Sequence, residues 1–222
     1  MQVVSPSFDI MSMPDGEDVL KHIEAAGRTC YKSEDKITPD SAAKFVKMIL
    51  KSGHESVVEH ASATVRFICD RGVTHELVRH RIAAYSQEST RYANYSKDKF
   101  GNEITVIRPV FWKEGTPEYE RWKRAMQATE AAYLDMIANG ARPEEARSVL
   151  PNSLKTEIVM TANLREWRHV FRLRCSGPAH PQIREIMLPL LDEFARRMPA
   201  LFEDLREQFA PAIEKFKPLV ES

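Results

Sequence analysis

At 222 residues, with 43% hydrophobic and 29% charged side chains, the chain has the length and composition of an ordinary globular protein that buries a sizeable core. Thirty-two basic and thirty-two acidic side chains cancel. That balance argues against a general nucleic-acid binder, which carries a basic excess, and leaves room for local clusters that bind small anions.

In chain order, "QVVSPSFDIM" reads as a short strand or extended entry. "GEDVLKHIEAAGRTCY" and "TPDSAAKFVKMILKSG" read as helices. In the second, Ala42, Phe45, Val46, Ile49 and Leu50 recur at helical spacing, Asp40 or Ser41 offers an N-cap, and Gly53 suits the stop. "ASATVRFICD" is β-branched and alternating enough for a strand. "GVTHELVRHRI" predicts a short helix from near Thr74, with His75, Glu76, Arg79 and His80 within one or two turns of each other.

A strand is expected at "EITVIRPVFW", ended by Pro109. The clearest helix is "TPEYERWKRAMQATEAAYLDMIANG", with Tyr119, Trp122, Met126, Tyr133 and Ile137 as its core stripe. A short helix at "RPEEARSVLP" precedes the strand "LKTEIVMTAN" and the helix "LREWRHVFRLRC". The last long helix, from His180, is expected to kink at Pro189 and again near Pro199. No repeat, low-complexity tract or linker divides the chain. The expectation is therefore one α+β domain over residues 1–222, with a small mixed or antiparallel sheet flanked by long helices.

Cys30, Cys69 and Cys175 are odd in number, widely spaced and without a C-x-x-C pair, which argues against a disulfide framework or a cysteine zinc site. The N-terminus lacks a basic start followed by an apolar run, and no segment reaches the roughly eighteen apolar residues of a membrane span. A cytoplasmic protein without a membrane partner is expected.

The chemistry concentrates in "RHRIAAYSQESTRY", from Arg79 to Tyr92. Arg outnumbers Lys nineteen to thirteen, and a guanidinium fork matches phosphate or carboxylate bidentately. Arg79-His80-Arg81 also suits a solvated helix end. The alternation of Gln87, Ser89 and Arg91, if extended, puts two hydrogen-bonding groups and a cation on one side, a pocket for a phosphorylated ligand. His54, His60, His75 and His80 meet no metal-ligand spacing, so no metal is expected. Cys175 has no base beside it in sequence and reads as a buried structural thiol. With eight glycines and neither G-x-G-x-x-G nor a P-loop, phosphates would fall to arginines and helix N-termini.

Arg79-His80-Arg81, a seven-residue gap, then Ser89, Arg91 and Tyr92 resemble the signature of the flavin-dependent thymidylate synthases. The resemblance also takes in "SGHESVVEHAS" and "EEARSVLPNSLKTEIVMTANLREWRHVFRLRCSGPAHPQIRE", covering roughly residues 15 to 200. It implies a homotetramer with FAD sites at subunit interfaces that converts dUMP to dTMP. 5,10-methylenetetrahydrofolate would give the carbon, and NADPH the hydride through FAD. The resemblance implies FAD contacts from Ser56, Arg79, His80, Arg81, Gln87, Asn163, Leu164, Arg165 and His169.

For dUMP it implies Glu76, Leu77, Val78, Arg79, Gln87, Glu88, Ser89, Thr90, Arg91, Arg147 and Arg174. Arg174 would be the catalytic residue, favouring dUMP ionised at N3, since a guanidinium beside an imide stabilises its anion. The sequence departs from some members at Glu76, where they carry Gln; a carboxylate cannot donate to a ligand oxygen. Two rival readings are a non-catalytic RNA- or nucleotide-binding module and a silent flavoprotein of the same fold.

Overall fold

A computed structural model describes residues 1–97 and 100–220, with side chains through Phe216. In chain order the elements are β1 (Gln2–Val4), β2 (Ser7–Ser12), α1 (Gly16–Tyr31), α2 (Ser41–Lys51), β3 (Ser62–Asp70), α3 (Arg71–Leu77), β4 (Ala83–Gln87) and β5 (Thr105–Ile107). There follow α4 (Pro117–Ala138), α5 (Pro143–Ala146), β6 (Lys155–Asn163), α6 (Leu164–Arg174), α7 (Pro181–Arg197) and α8 (Pro199–Val220). The class is α+β: helices dominate and the sheets are small and mixed. Strand β1 pairs in parallel with β5, Gln2 opposite Thr105, and Val106 bridges Leu154 antiparallel. The second sheet has the order β2-β3-β6-β4.

Local chemistry explains where the elements differ from expectation. The Asp70 carboxylate accepts the Val73 N–H at 2.8 Å, which starts α3 at Arg71 rather than near Thr74. The helix then ends at Leu77, so Arg79 and His80 lie beyond it and not on its turns. Strand β5 is only three residues long; the Arg108 N–H closes its ladder with β1 by donating to the Val4 carbonyl at 3.0 Å, and Pro109 follows with no N–H to give. The last helical stretch runs on through Pro189 and breaks at Met198, dividing α7 from α8. Gly53 ends α2 as expected, in a left-handed conformation (φ 73°).

The described residues fall into two compact units. The first comprises Met1–Ser7, Arg66–Arg79 and Tyr85–Val159. Its core holds Tyr95, Ile104, Val106, Met126, Tyr133, Ala146 and Leu154, so the predicted stripe of α4 is buried at Tyr119, Met126 and Tyr133 and half-buried at Trp122 and Ile137. Tyr133 donates no edge to solvent; its hydroxyl accepts the Tyr95 N–H at 3.4 Å and so anchors the segment that follows Arg91.

The second unit comprises Phe8–Val65, His80–Ala84 and the residues from Met160 onward. An aromatic cluster of Trp167, Phe171, Phe194 and Phe202, with centroids 5.2 to 5.9 Å apart, fixes α6 against α7 and α8. Buried aromatics of this kind cost about 3–5 kcal/mol each to truncate, so α6 is a rigid base for whatever it carries. The Trp167 indole N–H donates to the Ala63 carbonyl at 3.1 Å, tying α6 to β3.

Candidate active site

In the second unit, Asn163 ends β6 and caps α6, its Oδ1 accepting the Glu166 N–H at 2.8 Å. This fixes the first turn of the helix. The Glu166 carboxylate is not spent on the cap: it faces His80 Nδ1 at 3.3 Å. On the other side of the ring, Arg174 Nε donates to His80 Nε2 at 2.9 Å. The His169 ring stands edge-on to His80, with centroids 5.6 Å apart. Burial, then the charge of Arg174 and the nearness of His169, pushes the His80 pKa down to about 4, so the ring is neutral at neutral pH. Burial also raises the Glu166 carboxyl above the usual range, against the pull of His169 and Arg165.

His80, Glu166 and His169 offer atoms within 4.8 Å of one another, the metal-like grouping found among the described residues. Two of the three, His80 and Glu166, are engaged with protein partners. The Glu166 oxygen faces one His80 nitrogen, and a guanidinium that repels cations holds the other.

Beside this group lies a cavity of about 360 Å³, lined by Glu55, Glu59, Ile82, Asn163, Arg165, Glu166, His169 and Arg172. Asn163, Arg165 and His169, expected to contact FAD, all open onto it. Its two guanidiniums already hold carboxylates: Arg172 donates to Glu55 at 2.7 and 3.4 Å, and Arg165 donates to Glu59. The Arg172 hydrogen bonds hold the Glu55 carboxyl below its usual range. A guanidinium fork of this kind also matches a phosphate, and exposed Ile82 offers an apolar face for a planar ring. The donor set therefore fits FAD, although the cavity is smaller than the whole dinucleotide. Ser56 and Arg81 are exposed. Leu164 is fully buried and its N–H is given to the Ala61 carbonyl, so its side chain serves packing.

In the first unit, β4 ends at Gln87 and the chain turns. The Ser89 carbonyl accepts the Tyr92 and Ala93 N–H groups at 3.1 and 2.9 Å. The alternating, extended arrangement expected of Gln87, Ser89 and Arg91 is not found, because Ser89 to Tyr92 form this turn. The turn itself clusters Ser89, Thr90 and Arg91: Ser89 Oγ accepts the Arg91 N–H at 3.3 Å, and Arg147 Nη1 donates to Thr90 Oγ1 at 3.4 Å. Arg147 thus joins the Ser89–Thr90 turn, a donor set suited to a phosphate monoester, while the exposed Arg91 side chain faces the Glu144 carboxylate at 3.8 Å and the Tyr92 ring.

Gln87 gives both amide hydrogens to the protein, to Thr74 Oγ1 at 3.1 Å and Thr156 Oγ1 at 3.4 Å. Glu88 is engaged by Lys155 at 3.5 Å and the Tyr95 hydroxyl at 3.5 Å. Ser86 to Ser89 line an open groove of about 660 Å³ with Arg66, Tyr92, Ala93, Phe100, Lys155, Glu157 and Val159. On and after α3, Glu76 is half-buried, Leu77 is fully buried, and Val78 and Arg79 are exposed. Tyr85 donates its hydroxyl to the Leu77 carbonyl at 2.7 Å, which fixes the end of that helix rather than offering a stacking ring.

Sequence reasoning missed Glu166, Glu55, Glu59 and Arg172. Asn163 and Glu166 carry the spacing of a capping pair, which gives no hint that the carboxylate turns to a histidine 86 positions earlier in the sequence. Burial pushes the Cys69 and Cys175 thiols up, and both are buried, in keeping with a structural role.

The family described as "Thymidylate synthase complementing protein" matches residues 11–200. The chain is 40% identical to a flavin-dependent thymidylate synthase of Pyrococcus furiosus over 172 residues, covering 77% of this chain and 70% of that one. The chain belongs to the flavin-dependent thymidylate synthase family. Other members of the family include that of Geobacter sulfurreducens, 35% identical over 189 residues, with 82% and 80% of the two chains covered. Among solved structures, a UMP/dUMP methylase, PolB, from Streptomyces cacaoi bound with 5-Br dUMP shares the fold, with a TM-score of 0.75 over 94% of this chain and 98% of that one at 23% identity. Among the described residues, no helix is long and apolar enough to cross a membrane.

Proposed function

We propose that the protein methylates dUMP to dTMP as a flavin-dependent thymidylate synthase, the whole chain acting as one such domain. The carbon would come from 5,10-methylenetetrahydrofolate and the reducing hydride from NADPH, and FAD, when bound, would pass that hydride to the one-carbon unit on dUMP. The observation that carries the reading is the hydrogen bond from Arg174 to His80, which joins the nucleotide-activating arginine to the R-H-R segment within the second unit.

Arg79, His80, Arg81, Gln87, Ser56, Asn163, Arg165 and His169 hold FAD in this reading, with Leu164 packed beneath them and Arg165 presenting its fork to a phosphate. Ser89, Thr90, Arg91 and Arg147 hold the dUMP phosphate; Glu76, Leu77, Val78, Arg79, Gln87 and Glu88 border the nucleotide. The Arg174 guanidinium stabilises the uracil ionised at N3, which makes C5 the better carbon nucleophile. A neutral His80 leaves the cation of Arg174 uncontested for that anion. No thiol nucleophile is used in this reading: Cys69 and Cys175 are buried, and exposed Cys30 lies near the end of α1.

The enzyme works in the cytoplasm as a homotetramer. A cavity too small for all of FAD suits a cofactor shared between copies. The test is the visible spectrum of the purified protein with and without dUMP, followed by tritium release from dUMP labelled at C5. A flavin spectrum that shifts with dUMP, together with tritium release dependent on methylenetetrahydrofolate and NADPH, is the expected result. A protein that stays colourless after incubation with FAD would remove the reading.

A further inference from the structure

Arg174 can act on a pyrimidine only if its guanidinium is aimed, and an arginine side chain has four rotatable bonds over which to wander. The structure shows what aims it. Arginine has no acceptor, so its Nε–H donates, and the hydrogen bond to His80 Nε2 at 2.9 Å requires that nitrogen to carry a lone pair. A neutral imidazole has one N–H, which must then sit on Nδ1. His80 Nδ1 faces the Glu166 oxygen at 3.3 Å, an acceptor. Both ring nitrogens are thereby assigned.

We propose that Glu166 is a positioning residue for Arg174, selecting the Nδ1–H tautomer of His80 so that its Nε2 receives the Arg174 Nε–H. The proposal deepens the synthase reading and rests on it for the role of Arg174.

Three further observations carry the argument. The backbone of Glu166 is fixed by its N–H, bonded to Asn163 Oδ1 at 2.8 Å, which sets where its side chain leaves α6. His80 and Glu166 are 4% and 7% exposed, so water does not offer either nitrogen an alternative partner. Both ends of the relay, Glu166 and Arg174, stand on α6, whose aromatic packing makes it rigid. In the other tautomer the Nε2–H would point at the Arg174 Nε–H, donor against donor. The arginine would then have to swing away.

The experiment compares wild type with Glu166→Leu and Glu166→Gln. The ¹⁵N shifts of His80 report its tautomer in the purified holoenzyme, and dUMP affinity is read by the change in the flavin spectrum. Wild type is expected to show the Nδ1–H tautomer. In Glu166→Leu the Nε2–H form should appear and dUMP affinity, measured per bound flavin because Glu166 also lines the flavin cavity, should fall roughly tenfold, the scale of one charge-assisted hydrogen bond. Glu166→Gln keeps an acceptor oxygen and should restore both readouts to within about threefold of wild type.

Adding Arg174→Ala to Glu166→Leu should cost little more than Arg174→Ala alone, because the two act as one unit. An Nε2–H tautomer in wild type overturns the proposal without any variant, even if Glu166→Leu does not fold. Unchanged dUMP affinity in Glu166→Leu overturns it while leaving the synthase reading intact. Wild type that does not bind dUMP overturns the synthase reading itself.

Discussion

Arg174 and His80 stand 94 positions apart in sequence, yet the Nε of one donates to the Nε2 of the other at 2.9 Å. The bond has a direct consequence for the nature of residue 174. Lysine would keep the charge but not the fork: a single ammonium cannot hold His80 and also present two parallel donors. Arg174→Ala should lose roughly 10²–10³ in turnover, the cost of removing a donor aimed at developing charge, while flavin content stays at the wild-type ratio. Arg174→Lys should recover little of it. Tritium release from C5 of dUMP measures the first quantity and absorbance per mole of protein the second. Wild-type turnover in either variant would remove Arg174 from the chemistry.

The neutral state of His80 makes a pH prediction whose sign can be worked out. Its folded pKa is about 4 against an unfolded value of 6.5, so between those limits the unfolded chain binds a proton that the folded chain refuses. The stability contributed by the neutral ring is therefore complete above pH 6.5 and is lost as pH falls towards 4, by at most about 3 kcal/mol. The groups facing the ring are Arg174, Glu166 and His169. Glu166, whose carboxyl burial raises, works in the opposite sense just above pH 4.5 and trims the loss at the acid end. His80→Asn should flatten denaturant-measured stability across this window relative to wild type. Parallel curves for the two proteins would contradict a buried neutral imidazole.

How far the sequence could be read depended on whether the deciding contact was local. The β6 alternation, with Thr156, Ile158, Met160 and Ala162 buried between half-exposed neighbours, and the α2 stripe of Ala42, Phe45, Val46 and Ile49 follow from side-chain period alone. The bounds of α3 did not, because Asp70 supplies the cap from the end of a strand that looked complete without it. The turn at Ser89 was hidden for a similar reason: neither Gly nor Pro marks it, and Ser89 holds it through its own carbonyl. In the site, Asn163, Arg165 and His169 were legible through the motif that surrounds them. Glu166 and Glu55 were not, since each is defined by a partner far away in sequence, His80 and Arg172.

Buried Arg168 sets a stability prediction. It is 1% exposed and grips Asp204 on α8 through two hydrogen bonds, at 2.8 and 2.6 Å, besides donating to the Leu201 carbonyl. Burial would raise the Asp204 carboxyl, and the adjoining Arg168 more than offsets it, holding it below the ordinary value. Asp204→Ala removes the two-pronged partner of a buried guanidinium, leaving it the Leu201 carbonyl and the Glu55 carboxylate at 3.7 Å, and should cost about 1–3 kcal/mol, since Asp204 itself is half exposed. Replacing the pair together, as Arg168→Met with Asp204→Leu, should cost clearly less, because no buried charge is left behind. Urea denaturation of the single and double variants decides it, and a double variant as unstable as Asp204→Ala would contradict the explanation.

The carboxylates on Arg165 and Arg172 compete with any phosphate those arginines receive. Arg165 donates to Glu59, and both side chains of that pair are about half exposed, at 50% and 43%, so the pair itself is worth little. Removing the competitor costs the fold correspondingly little and leaves the guanidinium only the more distant Glu55 carboxylate, 4.0 Å from its Nε. Glu59→Gln should therefore hold FAD more tightly, by about two- to fivefold, the range set by an exposed pair of at most roughly 1 kcal/mol. Arg165→Ala should weaken it. The gain in Glu59→Gln should shrink as salt is added, because the competition it relieves is between solvent-screened charges. Titration of flavin fluorescence at two ionic strengths measures both effects. If Glu59→Gln bound FAD more weakly than wild type, the carboxylate would be supporting the arginine's geometry instead of occupying its binding face, and the phosphate role given to Arg165 would fall with it.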